Sequence, residues 1–228
     1  MQSCWQPTEH RSRLAVLLSG AGTNFQALLE ATRRAEPAAA VAVVVSDRAE
    51  SGGLRRALEA RVPALYLPLR GRRDPAQRAA FEQRLGDLLV LFEPDLIVLA
   101  GWMVVLSPQF LGRFPGRIVN IHPALLPDDG GPRVLTSQGE QPVFRGAHAV
   151  RDALAAGVPV TGTTVHWVTA EPDSGPVILR AEVSILAGDD EASLHARIKA
   201  VEHQILPKAV QLALDRVRQS ALACTAQR

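Results

Sequence analysis

Continuous apolar runs of strand length alternate with helix-length segments through the first half of the chain. "LAVLLSG" precedes "TNFQALLEATRRA", "AAVAVVVSD" precedes "SGGLRRALEARV", and "ALYLPL" precedes "DPAQRAAFEQRLGDLLVLF". "DLIVLAG", a short helix near "SPQFLGRF", and "RIVNIH" complete that half. Strands that are apolar at every position, rather than at every second one, are buried on both faces, as in a parallel sheet covered by helices. The pattern predicts an α/β fold with a doubly wound, mostly parallel sheet.

After Pro127 the pattern changes. "DDGGPRVLTSQGEQPV", residues 128–143, is polar and rich in Gly and Pro, which predicts a long loop. A helix in "AHAVRDALAAG" follows, then "TGTTVHWVTA" and "GPVILRAEVSIL", which alternate like two antiparallel C-terminal strands joined by the turn "EPDSG". The closing helix starts near Asp190 and carries Leu194, Ile198, Val201 and Ile205 on one stripe, with Pro207 expected to kink or restart it. The expected organisation is a single domain over residues 14–218, with polar tails at 1–13 and 219–228. The segment 128–143, next to His122, is expected to act as a lid or substrate-shaping flap, since long polar loops in compact domains tend to be functional or disordered.

Three places carry candidate chemistry. In "RIVNIHPALLP" the residues Asn120 and His122 are two apart on a strand and share a face, while Pro123 keeps His122 out of helical dihedrals. They stand at the carboxyl end of a sheet strand, where open α/β folds form their ligand crevice. An imidazole there can move a proton or donate to an oxyanion, and an amide adds a second donor; a satisfied structural histidine is the alternative. In "LLSGAGTNF", Gly20 and Gly22 permit close backbone approach, and Thr23 and Asn24 sit where a helix start offers free N–H groups to an anion. A phosphate monoester fits better than a dinucleotide with Asp47 as its ribose partner, because Phe25 occupies the third glycine position of that fingerprint; a turn that merely needs glycine stays open. Asp173, in "EPDSGP", either shapes a turn or, if brought close, orients and charges His122. Glu202 on the last helix reads by default as solvated.

Composition narrows the classes. The chain has 228 residues, 47% of them hydrophobic, and a net charge of +2, which gives no electrostatic case for nucleic acid or a membrane surface. The basic cluster "LRGRRD" reads as a solvated turn. Two cysteines, Cys4 and Cys224, form neither a disulfide framework nor a metal spacing, and the other histidines, His10, His148, His166, His195 and His203, show no metalloprotease-like pairing, so no metal is expected. With no apolar run of membrane length, a cytoplasmic protein is the expectation.

The stretches "SGAGTNFQALLEA", "DLIVLAGWM", "LSPQFL", "IVNIHPALLP", "GTTVHWV", "DSGPVI" and the "EH" before "ILP" fall in order from about Leu14 to about Leu214. Together they resemble the folate-dependent formyltransferase family, and within it the branch that formylates glycinamide ribonucleotide in purine biosynthesis. That resemblance implies a Rossmann-like formyltransferase fold and attack of the ribonucleotide amine on the formyl carbon of 10-formyltetrahydrofolate, through a tetrahedral adduct. It implies that His122 stabilises the oxyanion and helps proton transfer, that Asn120 holds the formyl oxygen, and that Asp173 tunes His122 or a bridging water. Gly22, Thr23 and Asn24 would hold the phosphate, with Lys199, Ala200, Val201 and Glu202 on the rest of the ribonucleotide. Folate would meet Arg78, Met103, Val104, Val105, Leu106, Asn120, Thr169, Ala170, Glu171, Pro172 and Asp173. The folate is a cosubstrate, no bound cofactor is implied, and both partners are small molecules met by a monomer or homodimer. Where the family often reads Met-Arg-Ile-Leu, this chain reads Met103-Val104-Val105-Leu106, and its aromatic-x-Gly step, Phe144-Arg145-Gly146, follows only after the 128–143 segment. Alternative readings are a formyltetrahydrofolate deformylase and a non-catalytic folate- or nucleotide-binding module.

Overall fold

A computed structural model describes residues 11–35 and 37–226. Five strands, β1 (Ser12–Leu18), β2 (Ala39–Ser46), β3 (Ala64–Tyr66), β4 (Leu96–Leu99) and β5 (Ile118–His122), run parallel in one sheet. Two more, β8 (Val160–Trp167) and β9 (Val177–Ser184), join antiparallel beside β5 and complete the order β3-β2-β1-β4-β5-β8-β9. The α/β class, the mostly parallel sheet and the antiparallel C-terminal pair are thus those expected from the sequence.

The apolar runs divide between two faces. Leu14, Val16 and Leu18 of β1 pack with Phe25 and Leu28 of α1 (Thr23–Arg33) and Leu206 and Val210 of α6 (Glu191–Ala226). Ala15 and Leu17 pack on the opposite face with Phe81, Leu85 and Leu89 of α3 (Pro75–Leu91). Burial on both sides is what made every position from Leu14 to Leu18 apolar. The other helices are α2 (Gly52–Glu59), α4 (Pro108–Arg113) and α5 (Ala149–Ala155). Local chemistry starts two of the helices: the Asp74 carboxylate accepts from the N–H groups of Ala76 and Gln77, and the Ser107 hydroxyl accepts from Phe110 N–H, each followed by a proline at the first helical turn.

Three expectations are corrected. Residues 128–143 hold an antiparallel ribbon, β6 (Arg133–Thr136) and β7 (Gly139–Pro142), closed by an Arg133–Glu140 ion pair across the strands. This ribbon is fastened to the sheet: Glu182 of β9 accepts from the N–H and hydroxyl of Ser137, and the Gln141 amide donates to Val160 O at 3.0 Å. Arg180 pairs with Asp128 at 3.2 Å, and Val134 is buried. Anchored at four points, this segment is an ordered ribbon where a long loop was expected. Secondly, the closing helix does not restart at Pro207 but runs through it as one 36-residue element to Ala226, over much of the expected C-terminal tail. Thirdly, Ser12 and Arg13 belong to β1, so the expected N-terminal tail is shorter; residues 1–10, with Cys4 and His10, lie outside the described residues.

Gly175 shows how tightly the β8–β9 connection is packed, since a Cβ there would lie 1.8 Å from the Trp167 carbonyl oxygen. Gly112, in α4, has nothing within 4 Å of the corresponding point. Gly175→Ala is expected to lower unfolding free energy by roughly 1–3 kcal/mol, the usual cost of forcing atoms into a filled site. Gly112→Ala is expected to raise it by up to about 1 kcal/mol through helix propensity. Urea denaturation of both variants checks the contrast, and equal midpoints would refute the packing argument.

Candidate active site

Parallel strands send β1 to β2 on one side and to β4 on the other, which opens a crevice at their carboxyl ends. A cavity of about 420 Å³ lies there. Its walls come from the 20–24 turn, the 99–106 segment, the end of β5, His166, the 168–173 connection and one stripe of α6.

At its centre is a carboxylate among imidazoles. The β5–β8 register sets Asn120 opposite His166, so their side chains meet on one face, with the Asn120 amide 3.2 Å from His166 Nε2. Asp173 reaches back to both histidines, with Oδ2 3.6 Å from His122 Nδ1 and Oδ1 3.7 Å from His166 Nε2. It also accepts from the Asn120 amide at 3.4 Å and from Gly146 N–H at 2.9 Å. Burial acts to raise the Asp173 pKa, but the bond from His166, the charge of His122 and the Gly146 N–H outweigh it and bring it down to about 2. Asp173 is therefore an anion at any physiological pH. Its φ of 50° is a left-handed conformation that costs a non-glycine residue about 1 kcal/mol or more, so its surroundings must hold it there.

His122 is 4% exposed, and its Nε2 lies 2.8 Å from the Phe144 carbonyl oxygen. A carbonyl only accepts, so Nε2 carries the proton and the neutral ring turns its Nδ1 lone pair toward Asp173. Burial lowers the His122 pKa below its ordinary value, with Asp173 opposing. The resting group is a neutral imidazole facing a permanent anion. Such a pair can accept a proton at Nδ1 and stabilise the imidazolium that results.

The other end of the cavity is built from the 20–24 turn. Gly22 (φ 74°) caps α1 in the left-handed conformation, and a Cβ on it would lie 2.4 Å from Gly53 Cα, so backbone packing alone requires this glycine. Gly20 has no such contact, and its openness leaves room for a ligand. The first turn of α1 has no side-chain cap, so its N–H groups and the positive helix end face the cavity unclaimed. The Asn24 amide donates to Glu202 Oε2 at 2.7 Å, while Asn24 Oδ1 is buried without a partner. Glu202 is itself buried, which corrects its default reading as solvated, and burial raises its pKa while Asn24 and Lys199 oppose.

The structure brings Gly22, Thr23, Asn24, Met103, Val104, Val105, Leu106, Asn120, His122, Thr169, Pro172, Asp173, Lys199 and Glu202 to this one cavity. Arg78, Ala170, Glu171, Ala200 and Val201 stand outside its wall. Arg78 donates to Val105 O at 2.6 Å and so holds the 103–106 segment from behind, while Val201 packs into the apolar core. Val104 is buried with Trp102, Leu106 and Phe110. Asp47 is engaged by Arg72 and by Arg48 (3.5 Å), away from the cavity, so the carboxylate of the dinucleotide reading is committed elsewhere. His166, His195 and Gly146 were not picked out as site residues. His166 lies one alternation from Thr164 on β8, but only the β5–β8 register reveals that it faces Asn120.

Among the described residues no group of three or more His, Cys, Asp or Glu is placed to hold a metal ion, and no helix is long and apolar enough to cross a membrane. Comparison with known proteins matches the formyl transferase family over residues 12–210. A phosphoribosylglycinamide formyltransferase of Mycobacterium tuberculosis is 42% identical over 204 residues, covering 90% of this chain and 86% of that protein. The trifunctional purine biosynthetic protein adenosine-3 of Bos taurus is 37% identical over 202 residues, and there the chain spans only 18% of its relative. The crystal structure of glycinamide ribonucleotide transformylase 1 from Symbiobacterium toebii superposes with a TM-score of 0.78 at 43% identity, covering 91% of this chain and 90% of that one. With the family profile spanning nearly the whole described sheet and its site, the chain belongs to the formyl transferase family.

Proposed function

We propose that this protein is a phosphoribosylglycinamide formyltransferase, which passes the formyl group of 10-formyltetrahydrofolate to the amine of glycinamide ribonucleotide. The observation that carries the reading is the part-buried Asn120–His122–Asp173 cluster in one cavity with an uncapped helix start. The relatives named for this activity support it.

In the proposed reaction the phosphate monoester sits on the N–H groups of Gly22, Thr23 and Asn24, with Lys199 across the cavity as a counter-charge. Glu202, buried beside Asn24, accepts from the sugar or amino end. Folate lies along Met103–Leu106 and Thr169–Asp173, whose main chain can recognise the pterin without an arginine at position 104. The amine attacks the formyl carbon, and the carbonyl electron pair moves onto oxygen. Asn120 turns the N–H of its long 3.4 Å contact with Asp173 to that oxyanion, at no change in its own charge. His122 Nδ1 takes the proton released from the amine, and Asp173 stabilises the imidazolium formed. That imidazolium lies beside the oxyanion and then protonates the folate nitrogen as the carbon–nitrogen bond breaks. The carbonyl re-forms, His122 is neutral again, and formyl ribonucleotide and tetrahydrofolate leave. Holding both reactants in one cavity supplies the remaining advantage through proximity. The substrates belong to a cytoplasmic setting.

Purified protein mixed with formyl-folate is expected to release tetrahydrofolate only when glycinamide ribonucleotide is present, as followed by absorbance. Release without the nucleotide points to a deformylase, and no release points to a binding module. His122→Ala and Asp173→Asn are each expected to lower turnover by about a hundredfold or more, the size of losing acid–base or oxyanion groups. Activity within a few-fold of the parent in either would contradict the assigned roles.

Glu202→Gln tests the ribonucleotide end. The glutamine can keep the bond from Asn24 but carries no charge, so it is expected to raise the thermal midpoint of the free protein at pH 7 and to raise KM for the ribonucleotide. The folded-state pKa of Glu202 is raised, so the burial penalty is absent below the unfolded value near 4.5 and complete above the raised one. The stability gain of the variant should therefore fade as pH falls toward 4.5, which thermal scans at several pH values would reveal; a gain independent of pH would reject buried charge as its cause.

A further inference from the structure

The Phe144-Arg145-Gly146 tripeptide touches both members of the central pair. Phe144 O accepts from His122 Nε2, and Gly146 N–H donates to Asp173 Oδ2. Between them, Arg145 donates from Nε to Asp173 O at 3.0 Å, and from Nη2 to Gly130 O at 2.9 Å and Gly131 O at 2.8 Å. All three bonds end on main-chain carbonyls, and among the described residues Arg145 pairs with no carboxylate side chain. It also stays out of the cavity wall, although its neighbour Gly146 lines it.

We propose that Arg145 is the positioning residue of this site, clamping the main chain of the Asp173 turn to the base of the β6–β7 ribbon so that the carboxylate stays in register with His122. The proposal rests on the formyltransferase reading above and adds to it a residue that contacts neither substrate. Asp173 adopts a left-handed backbone (φ 50°), which an aspartate keeps only where its surroundings over-determine it. Its side chain is held by hydrogen bonds, but a side chain cannot be held in place while its own backbone is free to relax. The bond from Arg145 to Asp173 O is the restraint on that backbone. The opposite anchor is equally specific, because Gly130 (φ 69°) presents its carbonyl from a left-handed turn, where a Cβ would lie 3.1 Å from Ser174 O. The ribbon's base and the Asp173 turn therefore pack against each other, and the guanidinium bridges them. Three carbonyls reached from one rigid planar group suit arginine; the ammonium of lysine has no such fork.

Arg145 also acts on His122 by charge. The groups facing His122 are Asp173 from the 168–176 connection, His166 from β8, and the Phe144 carbonyl and Arg145 from the segment after β7. Of these, Arg145 and His166 disfavour the imidazolium. Replacing Arg145 by alanine removes one positive neighbour, so His122 should bind its proton more tightly. The acid limb of the pH–rate profile should then move to higher pH. Lysine keeps the charge and loses the fork, which separates the two effects.

The test is steady-state kinetics of Arg145→Ala and Arg145→Lys across pH, beside the parent protein, with thermal unfolding as a check on folding. Both variants are expected to lose roughly ten- to a hundredfold in kcat, the scale on which a displacement of about 1 Å lowers catalysis. KM for both substrates should stay within about threefold of the parent, and the acid limb should move up only in the alanine variant. Parent-like kcat in either folded variant overturns the inference, as does a change confined to KM. If the alanine variant does not fold, the lysine variant decides by the same criterion. An inactive parent would instead overturn the formyltransferase reading, so the two failures are distinguishable.

Discussion

The site depends on keeping one carboxylate ionised where water barely reaches. The Asp173 side chain is only 12% exposed, and an ion so placed persists only if protein dipoles and charges replace its hydration. The Asn120 amide and the Gly146 N–H donate to it here, and the rings of His122 and His166 close around it. They come from β5, from β8 and from the segment after β7, so much of the chain's second half must be in place before Asp173 is stable. The arrangement is demanding in the other direction too. A buried acceptor with fewer donors would take up a proton, and His122 would then face a neutral acid in place of an anion.

The sheet meets that demand through topology. Parallel strands end together at one edge, which gathers the 20–24 turn, the 99–106 segment and Asn120 with His122 without long connections. The antiparallel β8 then lies beside β5 and adds His166 by register. Its short link to β9 folds back to deliver Asp173, and Gly175 permits that path because nothing larger than hydrogen fits against Trp167 O. Segment 99–106 is fixed at several points: Ser19 N–H donates to Gly101 O, Met103 N–H donates to the Ser19 hydroxyl, and Arg78 supports Val105 O. The cavity wall along which folate is proposed to lie is thus tied to β1 and α3 before any ligand arrives.

What could be read from the sequence follows from how local each cause is. Strands buried on both faces announce themselves in "LAVLLSG" and "AAVAVVVSD", because burial on both sides leaves no polar positions. Asn120 and His122 were legible as a pair because alternation is a property of one strand. The ribbon at 133–142 was not, since its short strands carry Gly and Pro and take their order from partners such as Glu182 and Val160, about 20 to 45 residues away. His166 needed the register of two strands, and the burial of Glu202 needed α6 to pack on α1 so that Asn24 could reach it. Arg78 was expected at the folate from the resemblance alone; the structure uses its charge on a carbonyl behind the wall.

The two carboxylates of the cavity, Asp173 and Glu202, are driven in opposite directions, and that divergence separates their work. Asp173 is surrounded by donors that outweigh its desolvation, so its pKa falls and its charge is permanent. Glu202 has the Asn24 amide and the more distant Lys199 against a larger desolvation, so its pKa rises and its charge is held at a cost. A group already satisfied gains little from a ligand, which suits Asp173 to steady the charge on His122 through the reaction. A group under-satisfied in the free protein gains most when a ligand brings donors, which suits Glu202 to recognise hydroxyl or amine groups. Environments that push two like groups apart divide their roles in this way. The unpartnered Asn24 Oδ1 beside Glu202 adds a second unmet acceptor at the same spot. The free site is therefore complete at its chemical end and incomplete at its binding end, where the proposed ribonucleotide would bring the missing donors.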